Sequence, residues 1–328
     1  MIDTPLGVRQ SGFRVTSSCR YMIYGLVVES ELRLTSVDEV GEWRGEPAIK
    51  VVFGSPEYFQ TIRPARAPDP DDWVQHVVLA DGSVYMKADV VFEAVISADG
   101  RDVVCRKMGD VDQRSFEANL MNFVVSASLT LQGEEPLHAT VVDIDGRAVG
   151  LLGLSGAGKS TLAAFLISHG ADLITDDMLR VKFAGDALLV YPGPYRLKLL
   201  DEPGNRFLPA AVSHGHFNPL SGKIMVQPRE KVPAGRVPMR LSALFHIGHP
   251  DEQGPIEGVS SARLVGLDLA TILISSTMDT RYAEPSRLAR QIRFAARVAG
   301  TLPIYELRYP RNFDVMDKVA AEIRRVIQ

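Results

Sequence analysis

Hydrophobic and polar positions change their period along this chain. Up to about residue 110 the apolar residues come in short runs, rich in β-branched and aromatic types, with turn residues between them. YMIYGLVVESELRL (21–34), AIKVVFGS (48–55) and WVQHVVL (73–79) each read as extended strand. Asp81-Gly82 and Asp99-Gly100 are hairpin signals, so 84–107 reads as two or three antiparallel strands. RPARAPDPDD (63–72) reads as a loop. Over 112–133 the apolar positions recur at helical spacing, and the run stops at Gly133. A domain boundary is expected there. It leaves a smaller β-rich α+β domain over 1–133, a candidate for substrate recognition, and a second domain over 134–328.

The second domain opens differently. HATVVDI reads as a strand, Asp145-Gly146 as a tight turn and AVGLLG as a second strand. KSTLAAFLISH reads as a helix stopped by Gly170, and DLITDD as a buried strand ending in two carboxylates. Strands joined by a two-residue turn must be antiparallel, so a hairpin leads into the glycine-rich stretch between strand and helix. Further on, strand-like runs at 187–193, 243–248 and 303–310 alternate with amphipathic helices at 286–300 and 313–328. This is an α/β pattern.

Composition narrows the function. The chain has 328 residues, 46% hydrophobic and 23% charged, with a net charge of -4. A folded protein of two domains is expected, and a strongly basic nucleic-acid binder is not. The arginine-rich RQIRFAARVAG (290–300) reads as an amphipathic helix with a solvated face. No apolar run approaches the ~18 residues of a membrane span. Cys19 and Cys105 are the two cysteines, too few for a disulfide framework. With no apolar segment at the N-terminus, the expected location is cytoplasmic. Neither nucleic acid nor membrane is an expected partner.

The chemistry lies in GLSGAGKST. Gly153, Gly156, Gly158, Lys159 and Ser160 fit G-x-x-x-x-G-K-[ST], and Ser155, Ala157 and Thr161 complete the stretch. Phosphates need many donors at once, and glycines let successive backbone N–H groups converge at a helix N-terminus. Lys159 is expected to face solvent or phosphate and Ser160 to hold magnesium. A dinucleotide-binding reading fails because Thr161 stands where its third glycine belongs. Asp176 and Asp177 end the next strand, where the site of an α/β sheet lies. One can serve the metal and the other can take a proton from an attacking hydroxyl, which suits phosphoryl transfer. The competing reading is a helix cap before MLRVK. His214 and His216 lack a third ligand at useful spacing and read as loop; His246 and His249 read as structural.

From His138 to Asp177 the chain resembles the catalytic core of the HPr kinase/phosphorylase family. That family enters its P-loop from an antiparallel hairpin beginning with a histidine. Its loop reads G-x-S-G-x-G-K-S, and an Asp-Asp pair follows the next helix. ATP-dependent phosphoenolpyruvate carboxykinase shares the architecture. VYPGPYRLKLLDE (190–202), LRYPRN (307–312) and the opening YGLVVESELRL are similar to HPr-kinase-like proteins encoded beside ribosomal peptide clusters, including lasso peptide kinases. The resemblance implies an α/β P-loop kinase domain of the HPr kinase/phosphoenolpyruvate carboxykinase type. It implies ATP and Mg2+ as cofactors and a peptide or protein serine as acceptor, a ribosomal peptide precursor among the candidates, and it admits a homo-oligomer. Asp176, Asp177, His138 and Arg196 form the implied catalytic set, and Ser160 with Asp177 the implied metal pair. Which aspartate is the base stays open at this point. Arg196 and Lys198, alternating along a predicted strand, could meet ATP phosphates or an anionic acceptor, and Arg311 is a further candidate. The family's glycine-rich signature loop, tied to dephosphorylation, has no match here, so phosphorylase activity is not expected. A small-molecule acceptor and a non-catalytic nucleotide switch are the alternatives.

Overall fold

A computed structural model describes residues 18–37, 39–41, 44–65, 73–229, 237–249, 256–279, 282 and 284–328. The first seventeen residues and most of the loop expected over 63–72 lie outside them. The chain divides into two compact units, Met1–Glu134 and Glu135–Gln328.

In the first unit the strands are β1 (Cys19–Ile23), β2 (Leu26–Ser30), β3 (Ile49–Phe53), β4 (Val74–Val78), β5 (Val84–Ala88), β6 (Phe92–Ile96) and β7 (Asp102–Lys107). They form one mixed sheet in the order β1-β2-β3-β7-β6-β5-β4. The run expected as one strand over 21–34 is a hairpin, because Tyr24 and Gly25 both turn to positive φ, 52° and 72°. Helix α1 (Pro56–Ile62) starts at the Ser55 cap and lays Phe59 against Tyr85, Val95 and Val104. The helix expected over 112–133 is two, α2 (Gln113–Asn119) and α3 (Val125–Leu131), joined by a π turn at Leu120–Val124. Asp112 caps α2 through Ser115 N. The β6–β7 turn presses on α3: a Cβ on Gly100 would stand 2.3 Å from Ser128 O.

The second unit holds β8 (Leu137–Ile144), β9 (Arg147–Leu152), α4 (Lys159–Ser168), β10 (Asp172–Thr175), β11 (Met178–Leu179), β12 (Val181–Ala184), β13 (Ala187–Val190), β14 (Leu197–Leu199), α5 (Asp201–Phe207), α6 (Pro209–Ser213), β15 (His216–Asn218) and β16 (Lys223–Val226). It continues with β17 (Met239–His246), β18 (Ser260–Arg263), α7 (Gly266–Ser275), α8 (Pro285–Thr301), β19 (Ile304–Arg308) and α9 (Met316–Ile327). The main sheet runs β10-β8-β9-β17-β13-β12, with β19 also on β17, β18 on β19 and β11 on β8. β8 and β9 pair antiparallel across Asp145-Gly146, whereas β17 is parallel to both β9 and β19. One face of the sheet packs under α4 and α9; the other packs under α7 and α8. α9 buries Met316, Val319, Ala320 and Ile323, one stripe at helical spacing. The arginine-rich helix is amphipathic as read: Arg293 and Arg297 are exposed while Gln291, Ala295 and Val298 are buried. Ahead of that stretch the buried Arg287 side chain meets the equally buried Glu135 carboxylate at 3.2 Å. A separate small sheet, β14-β16-β15, lies outside the main one. Among the described residues no helix is long and apolar enough to cross a membrane.

Candidate active site

Three parallel strands, β9, β17 and β19, end on the same side, and the segments that follow them meet there. The glycine-rich loop leaves β9 at Gly153, whose φ is +143° and whose Cβ, if it had one, would stand 2.4 Å from Ile247 O just beyond β17. No side chain fits that approach. Gly156 faces His249 Nε2, which lies 3.1 Å from where a Cβ would be. His249, read as structural from the sequence, is part of the loop's wall. Gly158, at φ +95°, precedes the first residue of α4, and beyond β19 Arg311 donates to Ala157 O at 2.9 Å and to Gly248 O. The Arg311 guanidinium rests 4.7 Å over the Tyr309 ring. The loop is therefore braced from two neighbouring strand ends while Leu154, Ser155 and Gly156 stay exposed.

Lys159 departs from expectation. It is 6% exposed, and Nζ donates to Gly153 O at 2.7 Å and Leu154 O at 3.1 Å. The bent loop supplies these carbonyls, so the ammonium turns back onto its own backbone. Burial pulls its pKa down to about 8, with Lys223 adding to the effect and the two aspartates opposing it. Ser160 and Thr161 follow on the first turn of α4, both half-buried.

β8 carries His138 and Thr140 on one face by strand alternation. β10 ends at Thr175, and the two aspartates follow it. Asp176 is 7% exposed. Its Oδ1 accepts from Thr140 Oγ1 at 2.7 Å and lies 3.5 Å from Ser160 Oγ, while Oδ2 accepts from Lys198 N at 3.0 Å. Burial, then the neighbouring Asp177, raises its pKa. Asp177 takes a left-handed φ of +67°, which sends its carboxylate elsewhere: Oδ2 meets Lys198 Nζ at 2.6 Å. Burial works to raise this carboxyl, but the charge and hydrogen bond of Lys198, with His138 and Arg196, hold it well below the usual carboxylate range. The residue beside Ser160 is thus Asp176, and the expected pairing of Ser160 with Asp177 is not what the fold brings together. The segment after Asp177 is strand, so the helix-cap reading of the pair falls.

His138 stands opposite Met178 in the β8–β11 register. Burial first, then Lys159, Lys198 and Lys223, push its pKa down to about 4 against the pull of Asp177. It is neutral at neutral pH. Lys198 and Lys223 come from the small sheet. There Lys198 pairs with Met225, Met225 with His216, and Lys223 lies two residues from Met225. Directly paired and alternate residues share a face, so Lys198, His216 and Lys223 line one side, and Arg196 precedes β14 on the same alternation. His216 opens a strand rather than lying in a loop. Among the described residues no cluster of three or more His, Cys, Asp or Glu stands together to hold a metal. Thr140, Lys223 and His249 escaped sequence reading; alternation with His138 along a strand was the signal that could have found Thr140.

No family model matches the chain. Over 88 residues it is 35% identical to the HPr kinase/phosphorylase of Exiguobacterium sp., a match covering 27% of this chain and 27% of that protein. The chain is HPr-kinase-like over that span. It is also 39% identical over 72 residues to the HPr kinase/phosphorylase of Peptoclostridium acidaminophilum, covering 22% of this chain and 23% of that one. The likeness spans about a quarter of the length of these curated relatives. A solved structure of the Hpr(Ser) kinase/phosphatase from Coxiella burnetii aligns with 58% of this chain and 95% of its own, at 13% identity and a TM-score of 0.32.

Proposed function

We propose that this protein is an ATP- and magnesium-dependent kinase that phosphorylates a serine hydroxyl of a peptide or protein. One observation carries the reading. A glycine-rich loop at a helix N-terminus and an adjacent carboxylate pair lie together, with Ser160 Oγ 3.5 Å from Asp176 Oδ1 and Lys198 gripping Asp176 and Asp177 at once. The likeness to HPr kinase/phosphorylases supports the same reaction class.

The loop amides and the α4 N-terminus bind the phosphates. Lys159 leaves the carbonyls of Gly153 and Leu154 for the terminal phosphates. Ser160 and Asp176 are all-oxygen donors, which suits a hard cation that takes one or two protein ligands and fills its shell from phosphate and water. Magnesium bound there would offset the charge of the β- and γ-phosphates. The serine oxygen attacks the terminal phosphorus in line, the bond from that phosphorus to the β–γ bridging oxygen breaks, and ADP leaves. Asp177, whose carboxylate rests against Lys198 Nζ, takes the hydroxyl proton. Neutral His138 lies beside it and positions the acceptor side. A kinase without efficient phosphorylase activity fits the absence of the glycine-rich signature loop from the sequence.

The test is mass spectrometry of candidate peptides and small alcohols incubated with protein, ATP and Mg2+. A phosphate on a peptide serine is expected; phosphate on small alcohols alone overturns the acceptor class. Lys159→Met keeps the buried stem, so it should stay folded yet lose nucleotide binding. Unchanged ATP affinity in a folded variant would refute the phosphate site.

A further inference from the structure

We propose that Lys198 is a tethered counter-cation: its ammonium keeps divalent metal off the aspartate pair in the free protein and moves to the nucleotide's phosphates on binding. The inference deepens the kinase reading and rests on it. Lys198 meets both carboxylates through different atoms, its backbone N–H on Asp176 Oδ2 at 3.0 Å and its Nζ on Asp177 Oδ2 at 2.6 Å. The two jobs are therefore separable, since the backbone contact survives any side-chain change. The Nζ contact is no surface ion pair. The lysine side chain is 11% exposed and the aspartate side chain 22%, and charges this sheltered attract each other far more than they would in water.

Two adjacent carboxylates near a hydroxyl would otherwise form a standing cation site. With Nζ in place, one of them is already neutralised, and a metal ion must displace it. A triphosphate changes the balance, because it offers the ammonium new anionic partners. Lys159 is parked in the same manner, on the carbonyls of Gly153 and Leu154. Both lysines thus rest on protein oxygens that phosphates replace. Lys198 can move without disturbing the main sheet, because it belongs to the small β14-β16-β15 sheet. Lys223 on the same face would receive the far side of the phosphate chain. Metal and nucleotide should then bind as one unit.

The test uses Mn2+ as a spectroscopic substitute for Mg2+, titrated against the full chain by electron paramagnetic resonance, with and without a non-hydrolysable ATP analogue. Wild type should bind Mn2+ weakly without the analogue. Lys198→Met and Lys198→Gln should bind it about tenfold more tightly or better without nucleotide, and should bind the analogue about tenfold more weakly, as expected for the loss of one partly buried charge contact. Lys198→Arg should restore the wild-type pattern. Equal Mn2+ affinity without nucleotide in wild type and a folded neutral variant overturns the proposal. The neutral pair guards against one substitution failing to fold. The outcomes separate the two readings: enhanced Mn2+ binding in a protein that phosphorylates nothing sinks the kinase reading and leaves the counter-cation standing, while phosphorylation with unchanged Mn2+ binding does the reverse.

Discussion

At the residue scale, Asp176 and Asp177 are chemically identical neighbours with different surroundings. One backbone angle separates them: Asp177 sits at φ +67°, a region that Asn, Asp and Gly tolerate best. Asp177→Asn should therefore fold well and keep nucleotide affinity, while transfer slows by about 10²–10⁴-fold. Asp176→Asn removes the charge beside Ser160 and should weaken metal-dependent nucleotide binding first. Nucleotide affinity and single-turnover rate, measured on both variants, check the division; full wild-type rates in both would show that neither is the base. The pair itself was legible in the sequence. The difference in their surroundings was not, because it hangs on a dihedral and on Lys198, which joins the site from another sheet. Lys159 was legible as the lysine of the glycine-rich loop, yet its burial was not, since the carbonyls that receive it exist only once the loop is bent.

At the scale of elements, the first unit is tied together by one carboxylate on β6. Glu93 is fully buried and accepts from Arg63 at the end of α1, Tyr85 on β5 and Arg106 on β7. Burial alone would raise its pKa, but these donors outweigh it and hold the carboxyl at about 2 against an ordinary 4.5. A depressed folded pKa means that its stabilisation is complete above about pH 4.5 and lost as pH falls through about 2. Glu93→Gln should cost on the order of 3 kcal/mol at neutral pH, and the gap to wild type should narrow with acidification. Both tryptophans, Trp43 and Trp73, belong to this unit, so denaturation followed by tryptophan fluorescence reads it directly; a constant gap from pH 7 to pH 3 would contradict the assignment. Hairpins marked by Asp-Gly were readable from sequence. The Tyr24-Gly25 hairpin was not, because apolar residues run straight through it. α5 also went unseen, since Pro203 and Gly204 sit inside it. Of the small sheet only the strand carrying Lys198 was read from sequence; β15 and β16 went unseen because they are three and four residues long, too short to show a period.

At the scale of the molecule, the described loop, carboxylates, His138 and basic wall all belong to Glu135–Gln328, which has its own core on both faces of its sheet. Expressed alone, residues 135–328 should fold and bind ATP with the affinity of the full chain under the proposed function; calorimetry on fragment and full chain checks this, and loss of binding in a folded fragment alone would show that residues 1–134 contribute to it. The main α/β pattern was legible because its strands and long helices carry clear periods. The bracing of the loop by Arg311 was visible only as a lone basic residue near the end of the chain. That bracing bears on synthesis. The motif from His138 to Asp177 leaves the ribosome early, but the arginine that fastens Ala157 O to the end of β17 comes far downstream, after β19 has to be made. A nascent chain would carry every signature residue of the phosphate site while its cradle remained unfastened, so competence to hold nucleotide should arrive late in translation, close to the last helix.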